Sequence, residues 1–393
     1  MPRSLRTRAI HDGNAVDPAT GAVVPPIHFA STFAQESPGE WRPFDYSRSG
    51  NPTRSDLQRT LASLDDAVGA LAFSTGMAAI HAVMMTLHSG DHVIAGCDLY
   101  GGAYRLLHQI CNRSGISVSL VDLTDLTAIE AAITPSTRLI WGETIGNPRL
   151  SIPDWRQIAS LASDRGIRTG VDNTFGTPAL MRPLNDGVDI VMHSATKYLG
   201  GHSDCLGGTL AVSDESLLAE LAFIQNATGA VLDPMSCFLV ARGLKTLDLR
   251  VQAQSATAMQ LARWLESDER IRRVLYPGLA SHDHHERAAQ IFSASQDADP
   301  IGFGAMITFE VNGDLDATKR VCKQTELFHL AVSLGAVESL IEQPATMSHA
   351  SYDAAARKRF GITDSLVRIS VGLESVGDLQ ADLEQALAAS VDA

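Results

Sequence analysis

Cysteine is scarce in this chain: five residues in 393 (Cys97, Cys111, Cys205, Cys237, Cys322), an odd number with no C-x-x-C spacing. That pattern excludes a disulfide framework and fits free thiols in a reducing compartment. Positive charge is also in deficit, with 31 Lys and Arg against 45 Asp and Glu and a formal net charge of −14. Nucleic acid and anionic membrane would be repelled at long range, so neither is expected as a partner, and small molecules are. The basic start, Met1 to Arg8, has no apolar stretch behind it, nothing resembles a secretory signal, and a cytoplasmic location is expected. No long hydrophobic run survives inspection. Ala67 to Gly90 lacks Asp, Glu, Lys and Arg, but Ser74-Thr75-Gly76 reads as a turn that splits it into a short strand and a buried helix. There is no internal repeat or low-complexity tract, and no G-x-G-x-x-G follows the first strand, which argues against a nucleotide-binding dehydrogenase.

What remains is an ordinary globular composition, 45% hydrophobic and 19% charged. A chain of this length is expected to form about two domains. From about residue 55, apolar runs at Ala70–Phe73, His92–Gly96, Val118–Val121, Leu139–Trp141, Thr169–Val171, Ile190–His193 and Thr209–Val212 alternate with helical stretches. The helices are expected at Met77–Leu87, Ala103–Ser114, Leu126–Ile133 and Pro153–Arg165, the last opening on its proline. Regular alternation implies an α/β fold with a mostly parallel sheet covered on both faces, and ligands on such sheets bind at the carboxyl ends of the strands. Residues 1–54 are rich in Pro, Ser and Gly and read as an extended arm; 55–245 would be the α/β domain. Residues 246–393 would be a smaller α+β domain, with strands at Arg272–Leu275, Ala305–Val311 and Leu366–Val371 and a closing helix near Val376–Ala389.

Lys197 stands just after the Ile190–His193 strand, in Ser194-Ala195-Thr196-Lys197-Tyr198. An amine there can form a Schiff base with a phosphorylated aldehyde while Ser194 and Thr196 donate to its phosphate, and pyridoxal 5′-phosphate (PLP) is the reading. Taken alone, the Ser-x-Thr-Lys pattern also describes a solvated surface lysine. Three more features have the required character. The turn at Gly76-Met77 opens a helix whose amides can bind a phosphate dianion. Asp172 ends a strand, where a carboxylate beside a pyridine nitrogen would keep that nitrogen protonated; a turn or cap is the alternative. Tyr100, before Gly101-Gly102, can lay its ring over a planar cofactor or simply pack. Ser281-His282-Asp283-His284-His285-Glu286 lacks a structured ligand spacing and reads as a solvated polar loop, so no metal is expected.

The ordered set of segments Tyr46–Arg54, Gly76-Met77, Tyr100–Gly102, Asp172–Phe175, His193–Tyr198, Ser333–Gly335 and Arg368–Gly372 resembles the Cys/Met-metabolism family of PLP enzymes. That family holds the cystathionine γ-synthases, γ-lyases and β-lyases, methionine γ-lyases and O-acetylhomoserine sulfhydrylases. The resemblance implies the aspartate-aminotransferase-like fold, fold type I. It also implies roles: Lys197 for the Schiff base and proton transfer, with Tyr100 as its catalytic neighbour over the ring face. Gly76, Met77, Ser194 and Thr196 would hold the phosphate, with Thr174 beside them and Asp172 at the ring nitrogen. Tyr46 and Arg48 would reach the phosphate of a neighbouring subunit, which implies shared sites in a homotetramer. Arg368, Ser333 and Asn147 would clamp the substrate α-carboxylate, with Arg105 bordering the entrance.

For the member of the family, two acids bear on the expectation. Asp45 and Glu338 would face the distal ammonium of cystathionine, and an acid at the first position resembles the γ-synthases and γ-lyases. Gly102 stands where methionine γ-lyases carry cysteine. Glu143-Thr144-Ile145-Gly146-Asn147-Pro148 departs from the Pro-Ser-Asn or Pro-Thr-Asn of the γ-enzymes, and His28 replaces a frequent tyrosine. The expectation is chemistry at Cγ of a C4 amino acid, cystathionine or an O-acylhomoserine. Cleavage at Cβ, sulfhydrylation and methionine γ-elimination are the alternatives. A PLP-binding scaffold without turnover is disfavoured because the lysine, the aspartate and the arginine are all present.

Overall fold

The computed structural model describes residues 3–295, 302–350, 352 and 354–391. Seven strands, β1 (Gly69–Phe73), β2 (His92–Gly96), β3 (Ser117–Val121), β4 (Thr137–Glu143), β5 (Arg168–Asp172), β6 (Ile190–His193) and β7 (Gly208–Val212), form one sheet in the order β1-β7-β6-β5-β4-β2-β3. The pairs β2·β3, β2·β4, β4·β5 and β5·β6 are parallel; β7 alone runs against its neighbours β1 and β6. The expected α/β class and mostly parallel sheet are therefore present. Strands buried on both faces need continuous apolar runs, and all five residues of β2 and of β7 are buried. Gly170 on β5 is required for close packing, because a Cβ there would stand 2.7 Å from the ring of the fully buried Trp141 on β4.

Helix starts follow local chemistry. Asn51 accepts from the amides of Thr53 and Arg54, and Pro52 occupies the first helical position of the helix Pro52–Leu64. Thr75 caps Gly76–Met84 through the Ala78 amide. Two expectations need correction. The helix expected to open on Pro153 begins at Trp155, because Asp154 takes the cap by accepting from Gln157 N. The stretch Ala103–Ser114 is not one α-helix: a helix at Gly101–Arg105 passes into a π turn at Leu106–Ile110 and a 3-10 turn at Cys111–Ser114, ending on left-handed Gly115.

A second sheet, β8 (Ile271–Leu275), β9 (Met306–Val311), β10 (His329–Leu330), β11 (Leu340–Glu342) and β12 (Leu366–Ser370), has the order β10-β11-β12-β9-β8. The short β10 and β11 escape periodicity, having two and three residues. The 20-residue helix Leu247–Glu266 precedes this sheet and Val376–Val391 follows it. At the start of the chain, the helix Leu5–His11 buries Leu5 and Ala9. Among the described residues no helix is long and apolar enough to cross a membrane.

Candidate active site

The carboxyl ends of β1, β4, β5 and β6 open on one cavity of about 490 Å³, lined also by residues from the second sheet. At its floor, Thr75 leads into the helix Gly76–Met84, whose first amides have no carbonyl one turn back to bond. This turn lies close to the sheet, and at Gly208 the approach is to backbone, so that position requires glycine. A Cβ on Gly76 would stand 2.8 Å from Met192 Cε, and one on Gly208 would run into the Thr75 carbonyl. Ser194 and Thr196 line the same wall, and Thr196 Oγ1 accepts from Gly207 N at 3.0 Å.

Asp172 ends β5, with Oδ1 accepting from Thr174 N at 2.9 Å, while Thr174 Oγ1 accepts from Ser194 N at 2.8 Å. Burial raises the Asp172 pKa, opposed by the Thr174 hydrogen bonds and by the charges of His193 and Lys197. Its partner across the parallel pair is Glu143, the last residue of β4. Glu143 is pushed well above the usual carboxylate range, first by burial and then by Asp172, and accepts from Tyr100 N at 2.5 Å. The Asp172 charge adds to the burial that favours the neutral form of Glu143.

The Lys197 amine donates to Ser333 Oγ at 2.6 Å. Burial first, then Arg368, lower its pKa to about 8, against the opposing pull of Glu342 and Asp172. Arg368, 3% exposed on β12, donates from one terminal nitrogen to Asn147 Oδ1 at 2.9 Å and from the other to the Ser333 carbonyl at 3.2 Å. It also pairs at 3.0 Å with Glu342, its register partner on β11. Ser333 holds φ at 129°, a conformation that costs an L-residue about 1–3 kcal/mol. At the mouth stand Tyr100, Arg105 and the exposed apolar side chains of Leu206 and Val332. The Tyr100 ring occupies the space beside Gly102, where a Cβ would meet its edge and stand 2.9 Å from Met77 Sδ.

Gly76, Met77, Tyr100, Arg105, Asn147, Asp172, Thr174, Ser194, Thr196, Lys197, Ser333 and Arg368 thus converge on the cavity. Four expected site residues are not brought there. Glu338 lies outside it, accepting from Ser203 Oγ at 3.5 Å. On the arm, Asp45 accepts from the Tyr46 amide, and Arg48, its guanidinium 5.5 Å from the Tyr46 ring, donates at 3.2 Å to Oδ1 of Asn226 on the helix Glu215–Thr228. Sequence reasoning missed Glu143 and Glu342 as site residues. Glu143 was visible as the end of an apolar run; Glu342 has no local signal, since its place depends on β11 pairing with β12. The departure at Gly146 has a steric cause: Asp98 and Ser151 fill the space that a serine or threonine side chain would need.

The residues present fit PLP. An amine with depressed pKa, a carboxylate at a strand end, and a glycine-lined turn at a helix start share one cavity with a buried arginine. Residues 6–388 match the model of the family described as Cys/Met metabolism PLP-dependent enzyme. The chain is 49% identical over 385 residues to the cystathionine beta-lyase of Coxiella burnetii, covering 98% of this chain and 97% of that one. It is 49% identical over 383 residues to the cystathionine gamma-synthase of Mycobacterium tuberculosis, covering 97% and 96%. The crystal structure of cystathionine gamma synthase from Xanthomonas oryzae pv. oryzae in complex with cystathionine superposes with a TM-score of 0.95 at 40% identity, covering 100% and 99%.

Proposed function

Because the chain belongs to the Cys/Met metabolism family of PLP-dependent enzymes, we propose that this trans-sulfuration enzyme acts at Cγ of a C4 amino acid, cystathionine or an O-acylhomoserine. The observation that carries the reading is the convergence of Lys197, Asp172 and Arg368 on one cavity. Bound PLP supplies the electron sink that lets the substrate Cα release its proton.

The chain's own residues do the rest. Lys197 is the covalent anchor and, once displaced, the base: with a pKa of about 8 an appreciable fraction of its amine is neutral near neutral pH and can move protons between Cα and Cγ. Gly76 and Met77 amides with the Ser194 and Thr196 hydroxyls hold the phosphate, and Thr174 braces Asp172 against the ring nitrogen. Tyr100 covers the ring face. Arg368, aligned by Asn147 and Glu342, clamps the α-carboxylate with help from Ser333. Arg105, at the mouth, meets the distal part of the substrate.

Asp45, Tyr46 and Arg48 serve a partner's cavity in this reading, with Glu338 as a further acid at its rim. What supports a shared site is the arm itself: Val16, Val23, Phe29, Trp41 and Tyr46 are all exposed, an apolar surface that a second copy of the chain would cover in a dimer of dimers. Cytoplasmic residence accords with the free cysteines.

The 49% identity to a cystathionine beta-lyase favours a second reading, cleavage at Cβ. Product analysis separates them. Cystathionine and water yield cysteine, 2-oxobutanoate and ammonia by the γ route, but homocysteine, pyruvate and ammonia by the β route. O-acylhomoserine with cysteine tests γ-replacement. Turnover of cystathionine to pyruvate alone, with no reaction of O-acylhomoserine, refutes the Cγ assignment.

A further inference from the structure

His193, the last residue of β6, and Asp65, which caps the end of the helix Pro52–Leu64, are buried against each other with side chains 1% exposed. The ring Nε2 lies 3.0 Å from both carboxylate oxygens of Asp65, and Nδ1 lies 3.2 Å from the Asn173 carbonyl oxygen. Both ring nitrogens therefore face groups that only accept. A neutral imidazole has one lone pair, which would be turned, buried, against one of these acceptors; an imidazolium has two N–H donors and satisfies both. Burial is the largest single influence and works against that charge, but Asp65, the Asp172 charge and the Asn173 carbonyl together outweigh it, so the His193 pKa is raised.

The neighbour on the next strand is the Asp172-Asn173 step. Burial drives Asp172 toward neutrality, Thr174 opposes this by hydrogen bonding, and two cations oppose it by charge, His193 and Lys197. Glu143, its register partner on the other side, is itself pushed toward the neutral form by burial and by the Asp172 charge. Lys197 changes protonation in the role proposed for it, which leaves His193 as the fixed cation.

We propose that His193 is a constantly charged positioning residue, and that the Asp65–His193 pair acts through Asp172, keeping that carboxylate ionised so that it can hold a proton on the pyridine nitrogen of bound PLP. This rests on the reading that Asp172 faces that nitrogen. The charge state of His193 itself does not.

Neutron diffraction from crystals of the PLP-loaded enzyme reads the proton positions directly. Deuterons on both His193 nitrogens are expected; a deuteron on Nδ1 alone, with Asp65 carrying the other, overturns the proposal. The companion variant is Asp65→Asn, which keeps the shape and removes the charge. It is expected to lower kcat on the order of tenfold, the ratio one pKa unit represents, with KM within about twofold, and Asp65→Glu is expected to recover most of the loss. Wild-type kcat in a folded, PLP-loaded Asp65→Asn protein overturns the action through Asp172. Should Asp65→Asn not fold, the neutron map of the unaltered enzyme still decides the charge. Failure of the PLP reading shows differently, as absence of a borohydride-trapped label on Lys197.

Discussion

Gly208→Ala isolates the phosphate cradle from the rest of the site. Gly208 opens β7 opposite Phe73, and the turn that follows β1 folds directly over it. A Cβ at this position would run into the Thr75 carbonyl oxygen and stand 2.6 Å from Gly76 Cα, where ordinary contact begins near 3.4 Å, so the turn must lift by about 1 Å. The obstructing atoms are backbone, which cannot rotate away as a side chain would. Overpacking of this kind costs about 1–3 kcal/mol of stability. A 1 Å displacement also takes the Gly76 and Met77 amides out of hydrogen-bond range of a phosphate, and losing one bond to a charged group costs about 1.5–3 kcal/mol, or roughly 10- to 100-fold in affinity. Equilibrium dialysis of the apoprotein with PLP, alongside a urea unfolding series, measures both effects. The control is Gly377→Ala, near the start of the helix Val376–Val391, whose added Cβ meets only Ser375 Oγ at 3.9 Å. That change is expected to be neutral or to stabilise by up to about 1 kcal/mol. Unaltered PLP affinity in a well-folded Gly208→Ala protein would refute the claim that this turn is the phosphate site.

The Lys197 amine must be neutral to attack an aldehyde, so the rate of PLP capture by the apoprotein should rise with pH up to about 8 and level off above it, as stopped-flow absorbance can follow; a rise continuing to the ordinary lysine value of 10.5 counts against the burial argument. The sign for stability is the same: between about 8 and 10.5 the unfolded chain binds the proton and the folded chain does not, so this group's contribution to stability increases with pH across that window. Arg368→Lys keeps the charge but loses the two-pronged donor, so KM for the amino acid should rise by about 10- to 100-fold with a smaller change in kcat; unchanged steady-state KM would place the carboxylate elsewhere. Mixing inactive Lys197→Ala and Arg48→Ala subunits after mild unfolding and refolding should restore part of the activity if sites are shared between copies; no recovery in mixed oligomers, verified by native mass spectrometry, rules out sharing.

Much of the chemistry was legible locally. The seven strands of the first sheet fall at their expected places because each is a short apolar run bounded by turn residues, and the turn expected at Ser74-Thr75-Gly76 is there, with Thr75 capping the helix that follows. Lys197, Asp172 and Gly76 sit where strand ends put them, and the parallel sheet gathers strand ends at one rim. The helix expected over Ala103–Ser114 failed for a reason not visible in periodicity, the register change through the π turn at Leu106–Ile110.

The amino-acid order by itself determined which residues stand at the ends of strands, since apolar period, caps and glycine turns act over a few neighbours. Only the tertiary structure decided which of those residues face one another. Glu143 lies beside Asp172 through β4·β5 pairing, Glu342 meets Arg368 through β11·β12, and Asp65 reaches His193 from 128 residues away. Such pairs set the protonation of the site, and they arise from strand register and helix packing between distant segments, which no local pattern encodes.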